Sequence, residues 1–309
     1  MMRCLTFLFF FHVLFLAGLQ AATWNTNVND RNWGANNNWT SPNTAPNGVG
    51  AQAIFGSVIT GNRNVRLNGN FTVGDLTFSD NNNYTLLSNN SNVRTLTFDV
   101  ASGDASINVT GGAGDHQIGL GGTIEMVLND NLVINHNTTG TLTVAAGITG
   151  SGSLTKDGTG LMIYYKPPES TTGYYTGNTI INGGTLQLGI SEDGSPEIGG
   201  SPQIIINNGG TLLYVGSGQI HDAAQMLLQG GTWNLNGYDE TLQSLTVSAN
   251  STIDLGLCGD SIVNFSGGVN YNGGILTISH WDGFMAVGGG PDRIIFGTSV
   301  SSAFLSNVF

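Results

Sequence analysis

Asn182-Gly183-Gly184-Thr185-Leu186-Gln187-Leu188 reads as a corner followed by a strand. A glycine pair reaches the positive φ that a tight corner needs, and the residues beyond it alternate with the period of two that sends side chains to opposite faces of a strand. The pattern returns in Gly209-Gly210-Thr211-Leu212, Gly230-Gly231-Thr232-Trp233-Asn234-Leu235 and Gly273-Gly274-Ile275-Leu276-Thr277-Ile278. One supersecondary unit recurring along a chain is the mark of a repeat architecture.

Working outward from these corners, the first inward apolar residue of each alternating strand gives Val65, Leu86, Ile107, Ile124, Leu142, Leu161, Leu186, Leu212, Trp233, Ile253 and Leu276. A coil of three short strands with tight corners takes roughly 20 residues. The spacing therefore predicts an all-β fold, a right-handed parallel β-helix (β-solenoid) of about eleven coils, which at the strand spacing of about 4.8 Å makes a rod of order 50 Å. Leu186 and Leu188, Leu212 and Tyr214, Trp233 and Leu235, Ile253 and Leu255, and Leu276 and Ile278 are expected to point inward, with Gln187, Asn234, Asp254 and Thr277 facing water. No stretch has useful helical periodicity, and the loop at 167–172 lengthens the coil after Leu161.

Residues 1–21 carry one positive charge, Arg3, then an apolar run from Phe7 to Leu19 and the small residue Ala21. This is the layout of a secretory signal peptide cleaved before Ala22, leaving no membrane-spanning segment. The segment 22–60 differs in character from the repeats, with Trp24, Trp33 and Trp39 amid Asn, Gly and Pro. It is expected to be an N-terminal cap whose tryptophans close the core, because an open solenoid end invites pairing with another chain. Exposed, the same rings would be a platform for sugars. The β-solenoid proper is placed at 61–309.

Charged residues make up 9% of the chain and its net charge is −12. An acidic, lysine-poor surface argues against nucleic acid and against anionic membranes. Of the two cysteines, Cys4 lies in the signal segment and Cys258 is then alone, so no internal disulfide forms and stability must come from burial and backbone pairing. Cys258 has no nearby base and reads as a small apolar filler.

The stretch from Gly150 through Ser153-Leu154-Thr155-Lys156-Asp157-Gly158-Thr159-Gly160-Leu161, followed by Tyr175-Thr176-Gly177-Asn178-Thr179-Ile180-Ile181-Asn182-Gly183-Gly184-Thr185-Leu186, closely resembles the autotransporter-associated β-strand repeat, also called the passenger-associated transport repeat. The match covers 150–189, with an inserted segment from Lys166 to Gly173 as its departure. More loosely, the whole chain resembles bacterial proteins carrying a Pro-Glu-Pro C-terminal sorting signal, although the sorting tail itself is not found. The resemblance implies an exported protein of the bacterial cell surface.

β-Helices can host polysaccharide lyases and hydrolases, which align carboxylates on neighbouring coils. Asp254, Asp260, Asp282 and Asp292 are spread through the last coils with Arg293 the basic residue close in sequence, and they match no such arrangement. His116, His136, His221 and His280 have no zinc-like spacing, and Gly111-Gly112-Ala113-Gly114-Asp115 reads as a turn with a solvated Asp in place of a calcium corner. Sequons such as Asn70-Phe71-Thr72 arise by chance in a chain so rich in Asn and Thr. No residue is assigned a catalytic, cofactor-binding or metal-binding role, and no cofactor is expected. The expectation is an exported, non-enzymatic structural or adhesive solenoid that contacts surface glycans or matrix proteins; the rival is a carbohydrate-active β-helix enzyme or carbohydrate-binding module.

Overall fold

The computed structural model describes residues 21–40, 43–121, 123–167, 173–189, 195–257, 259–282 and 290–309. The signal segment before Ala21, Cys258 and most of the 167–172 loop lie outside the described residues. What is described is nearly all β, with long parallel sheets in a β-helix-like arrangement consistent with a β-solenoid.

The chain visits its sheets in rotation. A first sheet holds twelve strands among the described residues, from Ala21–Trp24, Gln52–Phe55 and Asp75–Phe78 through Leu154–Asp157 and Gln203–Asn207 to Val269–Tyr271. A second holds eleven, from Arg31–Asn32 and Arg63–Leu67 through Gly184–Leu188 and Gly210–Tyr214 to Leu276–Ser279. The third side is less continuous. Phe71–Val73, Arg94–Phe98, Ile124–Leu128 and Gly147–Gly150 form one sheet, and Glu240–Leu242, Ile262–Phe265 and Arg293–Phe296 another. Pairing is parallel throughout these sheets except where Trp39–Thr40 runs antiparallel beside Ala21–Trp24.

The register builds the inward columns. His116, Leu142, Met162, Leu186, Leu212, Trp233, Ile253 and Ile278 are successive partners in the second sheet, 20 to 26 residues apart. The expected inward residues Leu186, Leu188, Leu212, Tyr214, Trp233, Leu235, Ile253 and Leu255 are all buried. Three details differ from the sequence reading. Ile107 and Ile124 point inward, but from the first and third sheets. Leu161 faces outward while Met162 fills the core, since an apolar pair leaves the alternation ambiguous. At the last rung Ile278, not Leu276, is the partner of Ile253, a two-residue slip that keeps the face unchanged.

The glycine pairs do two jobs. Gly209 adopts φ +88°, and a Cβ on its neighbour Gly210 would sit 2.3 Å from the Ile181 carbonyl oxygen. One glycine turns the corner and the other lets adjacent rungs approach closely. Asn and Asp side chains then accept from N–H groups at the corners and strand starts: Asn62 Oδ1 accepts from Asn83 N, Asn83 Oδ1 from Asp115 N, and Asp115 Oδ1 from Thr141 N, each one rung further along. The abundance of Asn thus has a structural cause.

Segment 22–60 contributes strands to both main sheets as well as the antiparallel Trp39–Thr40. Trp24, Trp33 and Trp39 are fully buried, with ring centroids of Trp24 and Trp33 each 5.1 Å from Trp39 and all three within 5.7 Å of Phe55. Their indole N–H groups donate to the carbonyls of Thr26, Pro46 and Trp33. Rings buried in this way pack on Phe55 and offer no face to a sugar. Two short helical turns, Asn36–Asn38 and Ser302–Leu305, interrupt the β pattern.

Candidate functional site

Several titratable side chains are held inside the stack or at its corners, where packing explains their state. His116 and His136 are buried inside the stack. His116 lies 4.7 Å from the Phe78 ring and its Nδ1 accepts from Tyr84 N; burial pushes its pKa down to about 4. His136 meets Thr138 Oγ1 at 3.2 Å and is also pushed to about 4, by burial first and then by the Lys156 charge. Both rings are neutral packing groups near pH 7. His221 Nδ1 accepts from Ala223 N in an exposed turn.

Lys156 is one of the buried ionisable residues that the sequence reading missed. It points into the first sheet's inward column, between Ile134 and Ile181. The ammonium escapes isolation by reaching the corner, where Nζ donates to the carbonyls of Asp157 (2.9 Å), Gly158 (3.1 Å) and Gly183 (3.2 Å). Burial pushes its pKa down to about 8, with the Asp157 charge opposing. The strand alternation in Leu154-Thr155-Lys156-Asp157 already puts Lys156 inward; its charge hid that signal, and one of its acceptors lies 27 residues away.

Glu240 begins the third-side strand Glu240–Leu242 and is buried. Its Oε2 accepts from Tyr214 OH (2.9 Å) and Ile220 N (3.0 Å), and its Oε1 accepts from Thr241 N (2.9 Å). Burial raises its pKa to about 7 against these donors. A cleft of about 150 Å³ beside it is lined by Ser217, Asp222 and Asp239. A carboxyl held near neutrality could serve as a general acid. Here Oε2 is taken by donors of the preceding rung and Oε1 by the backbone N–H of the next residue.

The carboxylates of the last rungs are partly brought together. Asp292 is buried, its oxygens accepting from Ser261 N (2.8 Å) and Asp282 N (2.9 Å), so it anchors the chain on either side of 283–289. Asp282 is exposed, and its carboxyl is held above its ordinary value by desolvation, then by the hydrogen bond and charge of Asp292, with Asp260 adding to the effect. Asp254 pairs with His280 Nδ1 at 2.6 Å and also accepts from Gly256 N. Among the described residues no group of three or more His, Cys, Asp or Glu side chains could hold a metal ion, and no helix is long and apolar enough to cross a membrane.

Beyond the last rung lies an apolar cavity of about 510 Å³, bounded by Leu276, Ile278, Trp281, Phe296 and Phe304. It is the end of the core, roofed in part by residues 307–309, where Ile278 N donates to Phe309 O and Leu276 N to Asn307 O. No family model matches the chain, and neither does any curated protein or solved structure.

Proposed function

We propose that the chain is an exported, non-enzymatic structural or adhesive β-solenoid of the bacterial cell surface or extracellular matrix, coiled right-handedly through about eleven turns. The observation that carries the reading is how the polar side chains are used. Asn83, Asp115, Lys156, Glu240 and Asp292 hold backbone groups of neighbouring rungs, so these side chains are occupied in stacking one rung on the next. The resemblance of 150–189 to the autotransporter-associated repeat and the signal-like segment 1–21 support export. A stiff stack with weakly charged outer faces suits repeated weak contacts along its length.

The test is turnover. Purified protein incubated with a panel of neutral and acidic polysaccharides is expected to release no reducing ends and no unsaturated product. Turnover that disappears in Glu240→Gln or Asp292→Asn, each still folded by circular dichroism, would replace this reading with that of a carbohydrate-active enzyme.

A further inference from the structure

The outward face of the first sheet carries a pattern that the core does not require. Val133, Thr155, Ile180, Ile205, Leu227 and Thr246 are successive register partners on six neighbouring strands. They alternate with buried residues such as Ile134, Lys156, Ile181, Ile206, Leu228 and Val247, so they point away from the core. All six are half-buried, and Val133, Ile180, Ile205 and Leu227 take no part in the apolar cluster. The result is an aliphatic ridge about 24 Å long across six strands.

Amides flank the ridge on both sides. On one side Asn135 donates to Asn108 (2.9 Å), Asn182 to Asp157 (2.6 Å) and Asn207 to Asn182 (2.6 Å). On the other, Asn178 donates to Gln203 (3.4 Å), Gln203 to Gln225 (3.2 Å) and Gln225 to Gln243 (3.2 Å). An amide within a ladder gives one donor to one neighbour and one acceptor to the other, out of two donors and two acceptor sites, so hydrogen-bonding capacity remains on both sides of an apolar strip.

We propose that this face binds a linear, uncharged polysaccharide laid along the ridge, perpendicular to the strands. The proposal rests on the adhesive reading above and names its ligand class. An extended β-linked sugar chain has apolar C–H faces along its length and hydroxyls at its edges, each of which can both donate and accept; a ridge between amide ladders complements that distribution. The rungs repeat every 4.8 Å or so, close to the advance of one sugar in such a chain. The single carboxylate in the ladders, Asp157, and the net charge of −12 disfavour polyanions. A second copy of this chain is a poorer occupant. The strip spans about 24 Å by 13 Å, so two copies face to face bury roughly 600 Å² in total, below the 1,200 Å² or so of stable interfaces.

The experiment measures binding of the full exported chain to soluble β-1,4-glucan, β-1,3-glucan and xylan, with polygalacturonate as the acidic control, by affinity electrophoresis and calorimetry. At least one neutral glycan is expected to bind, with little change between 50 mM and 500 mM salt. Ile180→Thr/Ile205→Thr/Leu227→Thr should weaken that binding at least tenfold while leaving the circular dichroism spectrum and the melting midpoint near wild type. Ile163→Thr/Leu213→Thr, outward on the second sheet, should bind as wild type does. The proposal falls if no neutral glycan binds, if the first-sheet variant binds unchanged, if the second-sheet variant loses as much, or if sedimentation shows a dimer that the first-sheet variant abolishes. None of those results creates turnover, so the adhesive reading can survive the loss of this one; turnover would remove that reading whatever the face binds.

Discussion

At the residue scale, stability turns on which side of a strand a side chain occupies. Leu186 is buried between Met162 and Leu212, whereas its neighbour Thr185 points outward between Leu161 and Thr211. Leu186→Asp should therefore cost several kcal/mol, through lost burial plus an unpaired charge in a dry column, and Thr185→Asp under about 1 kcal/mol. Urea unfolding of the two variants reads the difference directly. Glu240 supplies a pH signature. Its folded pKa of about 7 lies above the ordinary carboxyl value of 4.5, so the folded state holds the proton more tightly. The stability this contributes is full below about pH 4.5 and is lost as pH rises through 7, by roughly 3 kcal/mol. Glu240→Gln should flatten the stability of the protein between pH 4.5 and 7 relative to wild type, by whatever probe follows unfolding; a wild-type profile retained in the variant would show that another group is responsible.

At the element scale, each circuit depends on corners that only small residues can turn. Gly210→Ala places a methyl 2.3 Å from the Ile181 carbonyl, and backbone cannot swing aside as a side chain can. A loss of about 2 kcal/mol or more in thermal stability is expected. Gly56→Ala, whose new Cβ would meet nothing nearer than Ser79 Oγ at 3.9 Å, should lie within about 0.5 kcal/mol of wild type. The glycine corners and the strand faces were legible in the sequence because a period of two beside Gly-Gly admits few other readings. The assignment of strands to sheets was not. Ile107 and Ile124 sit in strands of the same alternation as those of the second sheet, and nothing local marks which side of the stack a strand will join. Leu161-Met162 and Ile204-Ile205-Ile206 hide their outward member because both faces are apolar; for Ile205 that concealed the ridge. Lys156 obeys the alternation, but its justification is a cage of carbonyls assembled from two rungs, which no single strand displays.

At the scale of the whole molecule, contacts run between neighbouring rungs, so cooperativity should decline toward the ends of the stack. The middle strands Leu132–His136, Leu154–Asp157 and Gln203–Asn207 are paired on both sides and interleave buried residues, whereas Val269–Tyr271 is half-buried or exposed along its length and sits at an edge. Amide hydrogen exchange is expected to be slowest in the former and to proceed from the C-terminal rungs inward; uniform protection along the chain would contradict a stack held together by nearest neighbours.

The most direct measurement of the stacked register uses its outward threonines as a ruler. Thr141, Leu161, Thr185, Thr211, Thr232, Thr252 and Thr277 are successive partners in the second sheet. Spin labels attached through cysteines at Thr185 and Thr277, and separately at Thr141 and Thr277, on a Cys258→Ser background, can be measured by pulsed electron resonance. The register predicts backbone separations near 19 Å and 29 Å, growing by about 4.8 Å per rung whatever the number of intervening residues. Two distances that fail to differ by about 10 Å, or a broad distribution at either pair, would contradict the stacked register.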